Sequence, residues 1–364
     1  MFLAVRDIRF AKGRFALMGG VIALITLLLV LLSGLTAGLA SQSTSAIAGL
    51  GGDRPVDAIA FGSPGSAAPK ASFTESAVTA DQVQRWEAVS GVDSAEAVGI
   101  SQTRVQSAHG ATANVAVFGV GEGSRLAPAR TAGDTVVLGA GVAEALGVDR
   151  GDTVVLGGTE LAVAAVVEDQ WYSHTSVVWT ALPDWRSIAR VTGAKVAGTV
   201  AAVTFKDGAA VDTAAGDQAA DTVTTTRTGA FQALGSFKSE NGSLTLMQGF
   251  LYGISALVIV AFLSVWTVQR TRDIAVLKAM GADSGYILRD AITQAAVVLV
   301  AGASLGGCIG LLGGFAAAEA APFLVTPATT LLPVAGIIFL GLGGAALAVG
   351  RVTRVDALIA LGGN

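Results

Sequence analysis

The stretch ALMGGVIALITLLLVLLSGLTAGLA, residues 16–40, runs for 25 residues without a charged side chain. A helix needs about 20 apolar residues to cross the hydrocarbon core of a bilayer, so this stretch is long enough to span a membrane. The alternative is a cleaved signal peptide, for which Gly38-Leu39-Ala40 would offer the small residues of a cleavage site. The apolar core of a signal peptide has only about 7–15 residues, so the sequence favours a retained helix.

Three further uncharged runs, of 29, 28 and 31 residues, occupy 241–269, 291–318 and 320–350. We therefore predict three more membrane-spanning helices, over 243–269, 291–318 and 331–350. The predicted fold class is a four-helix, all-α membrane protein. An extracellular α+β domain, residues 41–242, is inserted between the first and second spans.

The composition agrees with a membrane protein. Hydrophobic residues make up 52% of the chain and charged residues 14%, with a mean hydropathy of +0.64, whereas soluble domains carry roughly 25% charged residues. The net charge of -4 predicts no nucleic-acid partner. Cys308 is the sole cysteine and the chain has two histidines, so disulfides within one chain and cysteine-based metal sites are excluded.

Basic residues predict the orientation. Lys and Arg are concentrated in 1–15, 270–290 and 351–364, and they are absent from the loop between the third and fourth spans. The positive-inside rule then places both termini and the 270–290 loop in the cytoplasm of a multi-pass plasma-membrane protein. Residues 41–242 carry 13 basic against 21 acidic residues, which fits an external location.

Glycines repeat every fourth residue in the spans. The longest series lies in the third span, and shorter pairs lie in the first and second: Gly302, Gly306, Gly310 and Gly314; Gly34 and Gly38; Gly249 and Gly253. Such spacing lets helix backbones approach closely. The sequence leaves open whether these faces pack within one chain or between two copies.

The inserted segment alternates strands and short helices. The heptapeptide GDTVVLG occurs at 133–139 and again at 151–157, and 63–66 is typical of a loop. Between the repeats a helix is predicted over 140–148, closed by Gly147. Further predicted elements are strands at 160–168, 176–182 and 200–206, a helix at 183–192, and a helix or loop at 209–221.

No catalytic set is recognisable. His174 follows Tyr172 and Ser173, but no G-x-S-x-G or H-E-x-x-H pattern occurs within the inserted segment, 41–242. The chain also lacks G-x-x-x-x-G-K-[ST], and indeed any Gly-Lys dipeptide. We therefore predict that this chain is not an enzyme and that a separate subunit hydrolyses any nucleotide that drives it.

Two cytoplasmic segments have amphipathic patterns. Within 270–290 the predicted partner-docking residues are Arg272, Asp273, Ile274, Leu277, Lys278 and Met280, and the alternative is a segment lying on lipid. Residues 1–15 are predicted to form an interfacial helix, and 351–364 a cytoplasmic tail.

The chain resembles the MacB/FtsX-type ABC transporter permeases over nearly its whole length. The matching stretches are VRDIRFAKGR at 5–14, QRTRDIAVLKAMGA at 269–282 and RVTRVDALIAL at 351–361; Ala357 stands where the family usually has proline. The resemblance implies a homodimer, a separate ABC ATPase that binds ATP, and docking of that ATPase on 270–290. Within the family, DQWYSHTSVVW at 169–179 and the approach to the second span at 234–250 are similar to the hemin-exporter permeases, which implies heme as transported substrate with no intrinsic cofactor.

Heme iron takes His, Met, Cys or Tyr ligands, and a carboxylate can also serve. On that resemblance we expect a heme site at the external end of the second span: Glu240 and Met247 as iron ligands, Phe231, Phe237 and Phe250 as walls, and Lys238 facing a propionate. His174 and Tyr172 are the alternative ligands. No other metal site is predicted. Alternative functions are export of an antimicrobial peptide, drug or lipoprotein, and mechanical regulation of cell-wall hydrolases.

Overall fold

The computed structural model describes residues 12–65, 67–193, 195–269, 276 and 280–352. It divides into a membrane unit, up to Leu39 and from Gly242 onward, and an inserted domain, Ala40–Asn241. Both boundaries fall inside long helices. Most of the predicted interfacial helix (1–15) and of the tail (351–364) lies outside the described residues, as do 270–275 and 277–279 of the predicted docking segment (270–290).

The described residues form eight α-helices: α1 (Lys12–Ala48), α2 (Ala80–Glu87), α3 (Ala140–Leu146), α4 (Leu182–Ile188), α5 (Thr213–Ala220), α6 (Gly235–Gln269), α7 (Ser284–Ala318) and α8 (Pro327–Val352). Four of them, α1, α6, α7 and α8, are long and apolar enough to cross a membrane, which confirms the four predicted spans. Two of these helices extend well beyond their apolar runs. α1 continues to Ala48 through a Ser/Thr-rich end, and α6 begins at Gly235.

The membrane unit is packed around the glycine series of α7. A Cβ atom on Gly302 would lie 2.8 Å from the Gly19 carbonyl oxygen, and one on Gly306 would overlap the carbonyl of Ala23. The glycine face of α7 therefore packs on α1 within the same chain, and not only between two copies. Cβ atoms on Gly249 and Gly253 of α6 would meet no described atom within 4 Å.

The inserted domain is rich in strands: β1 (Ala58–Phe61), β2 (Val78–Thr79), β3 (Val92–Ser107), β4 (Thr112–Val120), β5 (Thr135–Gly139), β6 (Thr153–Leu156), β7 (Thr159–Val167), β8 (Trp171–Tyr172), β9 (Thr175–Ala181), β10 (Val196–Gly198), β11 (Val200–Phe205) and β12 (Val223–Thr226). Its four short helices complete an α+β domain between the first and second spans, as predicted.

The long strand β3 joins two parts of the sheet. Its first half pairs with β11, which continues to β1 and β12. Its second half pairs with β4 on one side and β6 on the other, and the pairings β4–β9, β9–β5, β5–β7 and β7–β6 close a ring of six strands. The duplicated heptapeptide supplies β5 and β6, which flank β7 so that Thr135 and Thr153 both oppose Ala162.

Two hydrophobic cores support this sheet. One fills the ring and contains Val117, Leu138 and Trp185. The other packs Phe61, Phe118 and Trp179 against the inserted-domain ends of α1 and α6. The ends of both long helices are therefore part of the inserted domain's core.

The sequence pattern missed several elements. The β3–β4 hairpin was not predicted, because β3 carries polar residues such as Glu96, Gln102 and Arg104 on partly or fully exposed positions. β1 was not predicted either, and its four residues are all buried.

Candidate functional site

The turn between β8 and β9 has an unusual backbone. Trp171 pairs with Ser176 and Tyr172 with Thr175, which leaves Ser173 and His174 as a two-residue loop. Both have positive φ, +51° and +61°, as a type I′ turn requires. Such turns usually hold Asn and Gly, since the left-handed region costs other residues roughly 1–2 kcal/mol each. Neighbouring groups must therefore hold this turn in place.

The backbone of the turn is held by the end of α1. The N–H of Ser173 donates to the carbonyl of Ser43 at 3.1 Å, and the N–H of His174 donates to the carbonyl of Gln42 at 3.0 Å. In β8, just before the turn, the N–H of Trp171 donates to Ser45 Oγ at 2.8 Å. The polar end of α1 thus fixes the hairpin tip by three hydrogen bonds.

The side chains of the turn contact both long helices. His174 Nε2 lies 2.8 Å from Glu240 Oε2 of α6 and 3.1 Å from Ser43 Oγ of α1. Ser173 Oγ lies 2.7 Å from Ser236 Oγ, also on α6. We call these five residues the His174 cluster. All five belong to the inserted domain, and they connect its hairpin tip to the ends of two helices.

The His174–Glu240 pair leaves ligand atoms free. A carboxylate oxygen only accepts, so Nε2–H donates to Glu240, and in the neutral ring Nδ1 then carries the lone pair. Neither His174 Nδ1 nor Glu240 Oε1 bonds to a residue that the structure describes. The side chains are 30% and 42% exposed, so a ligand can approach them.

Tyr172 lies in a different environment from its neighbour His174. It is 7% exposed, and its ring packs edge-on against Phe73 and Phe118, with centroids 5.8 Å and 5.4 Å away. Burial raises the pKa of its phenol above the ordinary value, because the charged phenolate would lose its hydration. The Tyr172 phenol is therefore harder to ionise than an exposed phenol.

The predicted heme walls separate into two groups. Phe231 and Phe237 pack edge-on at 6.0 Å in the core of the inserted domain. Met247 and Phe250 follow on α6, 53% and 64% exposed. The structure thus brings Glu240 together with His174. Phe231 and Phe237 contact each other, and both pack in the core of the inserted domain. Lys238 is exposed near the start of α6.

Of the predicted docking residues, only Met280 is described. Its N–H donates to the Val276 carbonyl at 3.0 Å, and its side chain is 73% exposed. Gly281 follows with φ of +92°, the conformation that ends many helices. Arg272, Asp273, Ile274, Leu277 and Lys278 lie outside the described residues.

Sequence reasoning missed the serines of the His174 cluster: Ser43, Ser173 and Ser236. Two signals pointed to them. The polar run SQSTS at 41–45 ends an otherwise apolar helix, and two strand-like dipeptides flank Ser173-His174. Neither signal identifies a partner 131 residues away, as Ser43 is from His174.

Comparisons with known proteins agree with this architecture. The model of the MacB-like periplasmic core domain matches residues 15–220, and that of the FtsX-like permease C-terminal matches 229–357. A putative hemin transport system permease protein HrtB of Staphylococcus epidermidis is 25% identical over 206 residues, 57% of each chain. Its counterpart in Staphylococcus haemolyticus is 30% identical over 130 residues, 36% of this chain and 37% of the relative. The chain therefore spans little more than half the length of the Staphylococcus epidermidis relative and about a third of the Staphylococcus haemolyticus one.

Among solved structures, the periplasmic region of MacB from Actinobacillus actinomycetemcomitans aligns with a TM-score of 0.36 and 14% identity. The alignment covers 50% of this chain and 92% of that one.

Proposed function

We propose that this chain is the membrane subunit of an export system, because it belongs to the MacB/FtsX family of ABC transporter permeases. It is a multi-pass membrane protein with four helices long enough to span a bilayer. Its sequence lacks a phosphate-binding P-loop, so a separate ABC ATPase supplies the energy. Two copies of each subunit form the complex. The Lys and Arg distribution supports an inserted domain outside the cell and both termini inside.

The proposed cargo is heme, removed from the membrane for detoxification. The relatives in two staphylococci carry the name of putative hemin transport permeases. The observation that carries the proposal for this chain is the 2.8 Å contact between His174 and Glu240. It holds an imidazole and a carboxylate together at the start of α6, each with one ligand atom free.

Within this pair, each residue orients the other. A histidine that donates one ring N–H to a carboxylate binds metal through its second nitrogen, as in many metal sites. Heme iron at this position is proposed to bind His174 Nδ1 or Glu240 Oε1. Met247 lies seven residues from Glu240 on α6, which is nearly two helical turns and so a similar face. Its thioether is the proposed second ligand, with Phe250 beside the ring and Lys238 facing a propionate.

The test is a hemin titration of the purified chain in detergent, followed by the Soret band. We expect wild-type protein to shift the band, and Glu240→Gln, His174→Ala and Met247→Leu to weaken or alter that shift. Glu160→Gln is the matched control, because Glu160 is an exposed carboxylate on β7. Wild-type spectra and affinity in all three variants would refute the ligand roles.

A second candidate function is mechanical regulation of cell-wall hydrolases. The observation that favours it is the His174 cluster itself, because the hairpin tip bonds to α1 and α6 at once. A change in the spacing of these helix ends would be transmitted directly to the strands of the inserted domain. Hemin sensitivity of a deletion strain favours heme export. A cell-wall hydrolysis defect without hemin sensitivity favours the regulator, and sensitivity to a peptide or drug alone favours another cargo.

A further inference from the structure

A cleft of about 520 Å³ opens in the inserted domain beside the hairpin tip. Its walls come from β3, the Tyr172-Ser173 end of β8, the loop before β2 and the first residues of α6. This volume lies within the range of small-molecule sites, roughly 300–1,000 Å³. No side chain that lines it carries a formal charge; hydroxyl groups predominate, with Phe73, Ile100 and Leu234 as apolar wall.

Two hydroxyl groups of this cleft lack partners. Tyr172 is 7% exposed, and its phenol makes no hydrogen bond to a residue that the structure describes. Ser101 Oγ is withdrawn from solvent without a partner. Buried polar groups are rarely left unpaired in native proteins, so Ser101 Oγ indicates a missing partner, and the Tyr172 hydroxyl lines the same cleft. A phenol O–H is a hydrogen-bond donor, so Tyr172 can donate into the cleft.

The start of α6 adds a positive potential to the same cleft. The first bond that closes a turn of this 35-residue helix runs from Lys238 N–H to the Leu234 carbonyl. The N–H groups of residues 235–237 precede that bond and have no partner within the helix. Gly235 and Ser236 line the cleft. Helix starts of this kind favour anions, because their free N–H groups and the helix dipole act together.

We propose that this cleft binds the carboxylate or phosphate group of an amphipathic anion. The Tyr172 hydroxyl, Ser101 and the α6 start supply donors, no acidic side chain lines the cleft, and the apolar wall receives the attached body. A porphyrin propionate and an anionic phospholipid headgroup are two sources of this chemistry. The site is separate from the iron ligands proposed above, so it goes beyond the proposed function and does not depend on iron.

The experiment uses the full chain in detergent with iron-free protoporphyrin IX, whose binding is followed by fluorescence anisotropy. Its dimethyl ester, which lacks the carboxylates, is the control ligand. We expect Tyr172→Phe to weaken protoporphyrin IX binding roughly tenfold or more, as loss of a hydrogen bond to a charged group does, and to leave ester binding unchanged. Tyr252→Phe is the matched control, because Tyr252 lies on α6 in the membrane unit.

A second series of measurements, with lipids, distinguishes a phospholipid headgroup from a porphyrin propionate as the bound anion. If the headgroup of phosphatidylglycerol is the ligand, nanodiscs containing this lipid lower protoporphyrin IX binding by the wild type but not by Tyr172→Phe, and phosphatidylcholine nanodiscs do not. Equal affinities of wild type and Tyr172→Phe for protoporphyrin IX, with no lipid effect, would overturn the proposal. Because the probe lacks iron, this result is independent of the hemin spectra of Glu240→Gln.

Discussion

Replacing Gly306 with alanine tests the packing of the membrane unit. Gly306 lies in the middle of the α7 face that contacts α1, and the new Cβ atom would overlap the backbone carbonyl of Ala23. Backbone atoms cannot rotate away as a side chain can, so the two helices must separate. Gly20→Ala is the matched control, because a Cβ atom there would meet no described atom within 4 Å.

The expected magnitude follows from two opposing effects. Alanine favours a helix over glycine by about 1 kcal/mol, and this gain applies equally to both variants. Overpacking a tight contact costs about 1–3 kcal/mol, and this cost applies to Gly306→Ala alone. The free energy of unfolding of the two variants should therefore differ by about 1–3 kcal/mol, with Gly20→Ala the more stable.

The assay is unfolding by SDS in mixed micelles, followed by the helical circular dichroism signal. A lower midpoint for Gly306→Ala than for Gly20→Ala supports the packing of α7 on α1. Equal midpoints, or a gain in stability for Gly306→Ala, would show that the two helices do not meet at these residues.

Three further predictions concern the inserted domain. Arg190 is exposed with φ of +50°, so Arg190→Gly should raise the unfolding free energy by roughly 1 kcal/mol in urea titrations, and a loss would contradict that conformation. Burial raises the folded-state pKa of Tyr172, so its contribution to stability is complete below its unfolded pKa of about 10 and is lost as pH rises through the folded pKa. Wild type should accordingly lose more stability than Tyr172→Phe in melts above about pH 10, and parallel pH profiles would argue against a buried phenol. A double-mutant cycle of His174→Ala and Glu240→Gln should give a coupling energy of at most about 1 kcal/mol, because the two side chains are 30% and 42% exposed. A much larger coupling energy would show that water has less access to the pair than these exposures indicate.

The spans were predictable because long uncharged apolar runs have few alternatives to a membrane helix. Their ends were not. The α6 residues from Gly235 to Gly242 are polar in sequence, yet they are helical, and Phe237 among them is buried in the inserted domain's core. Tertiary packing therefore decides where the helix begins. The location of Glu240 on a helix was expected only if α6 extended back, and it does.

The candidate site was predictable residue by residue but not as a cluster. Glu240 and His174 were each expected as heme ligands, in alternative sets. Their contact joins residues 66 positions apart through the two-residue turn after β8, and no local periodicity reports such a pairing. Phe237, which was expected as a heme wall, packs in the core of the inserted domain. Proximity along the chain did not distinguish the two cases.

We propose that this chain couples a separate ATPase to heme export. The most direct measurement is ATP hydrolysis by the chain co-purified with its ATPase and reconstituted in liposomes, with and without hemin. We predict that hemin accelerates hydrolysis and that Glu240→Gln abolishes the acceleration while leaving the basal rate intact. A hydrolysis rate that does not change when hemin is added would contradict the claim.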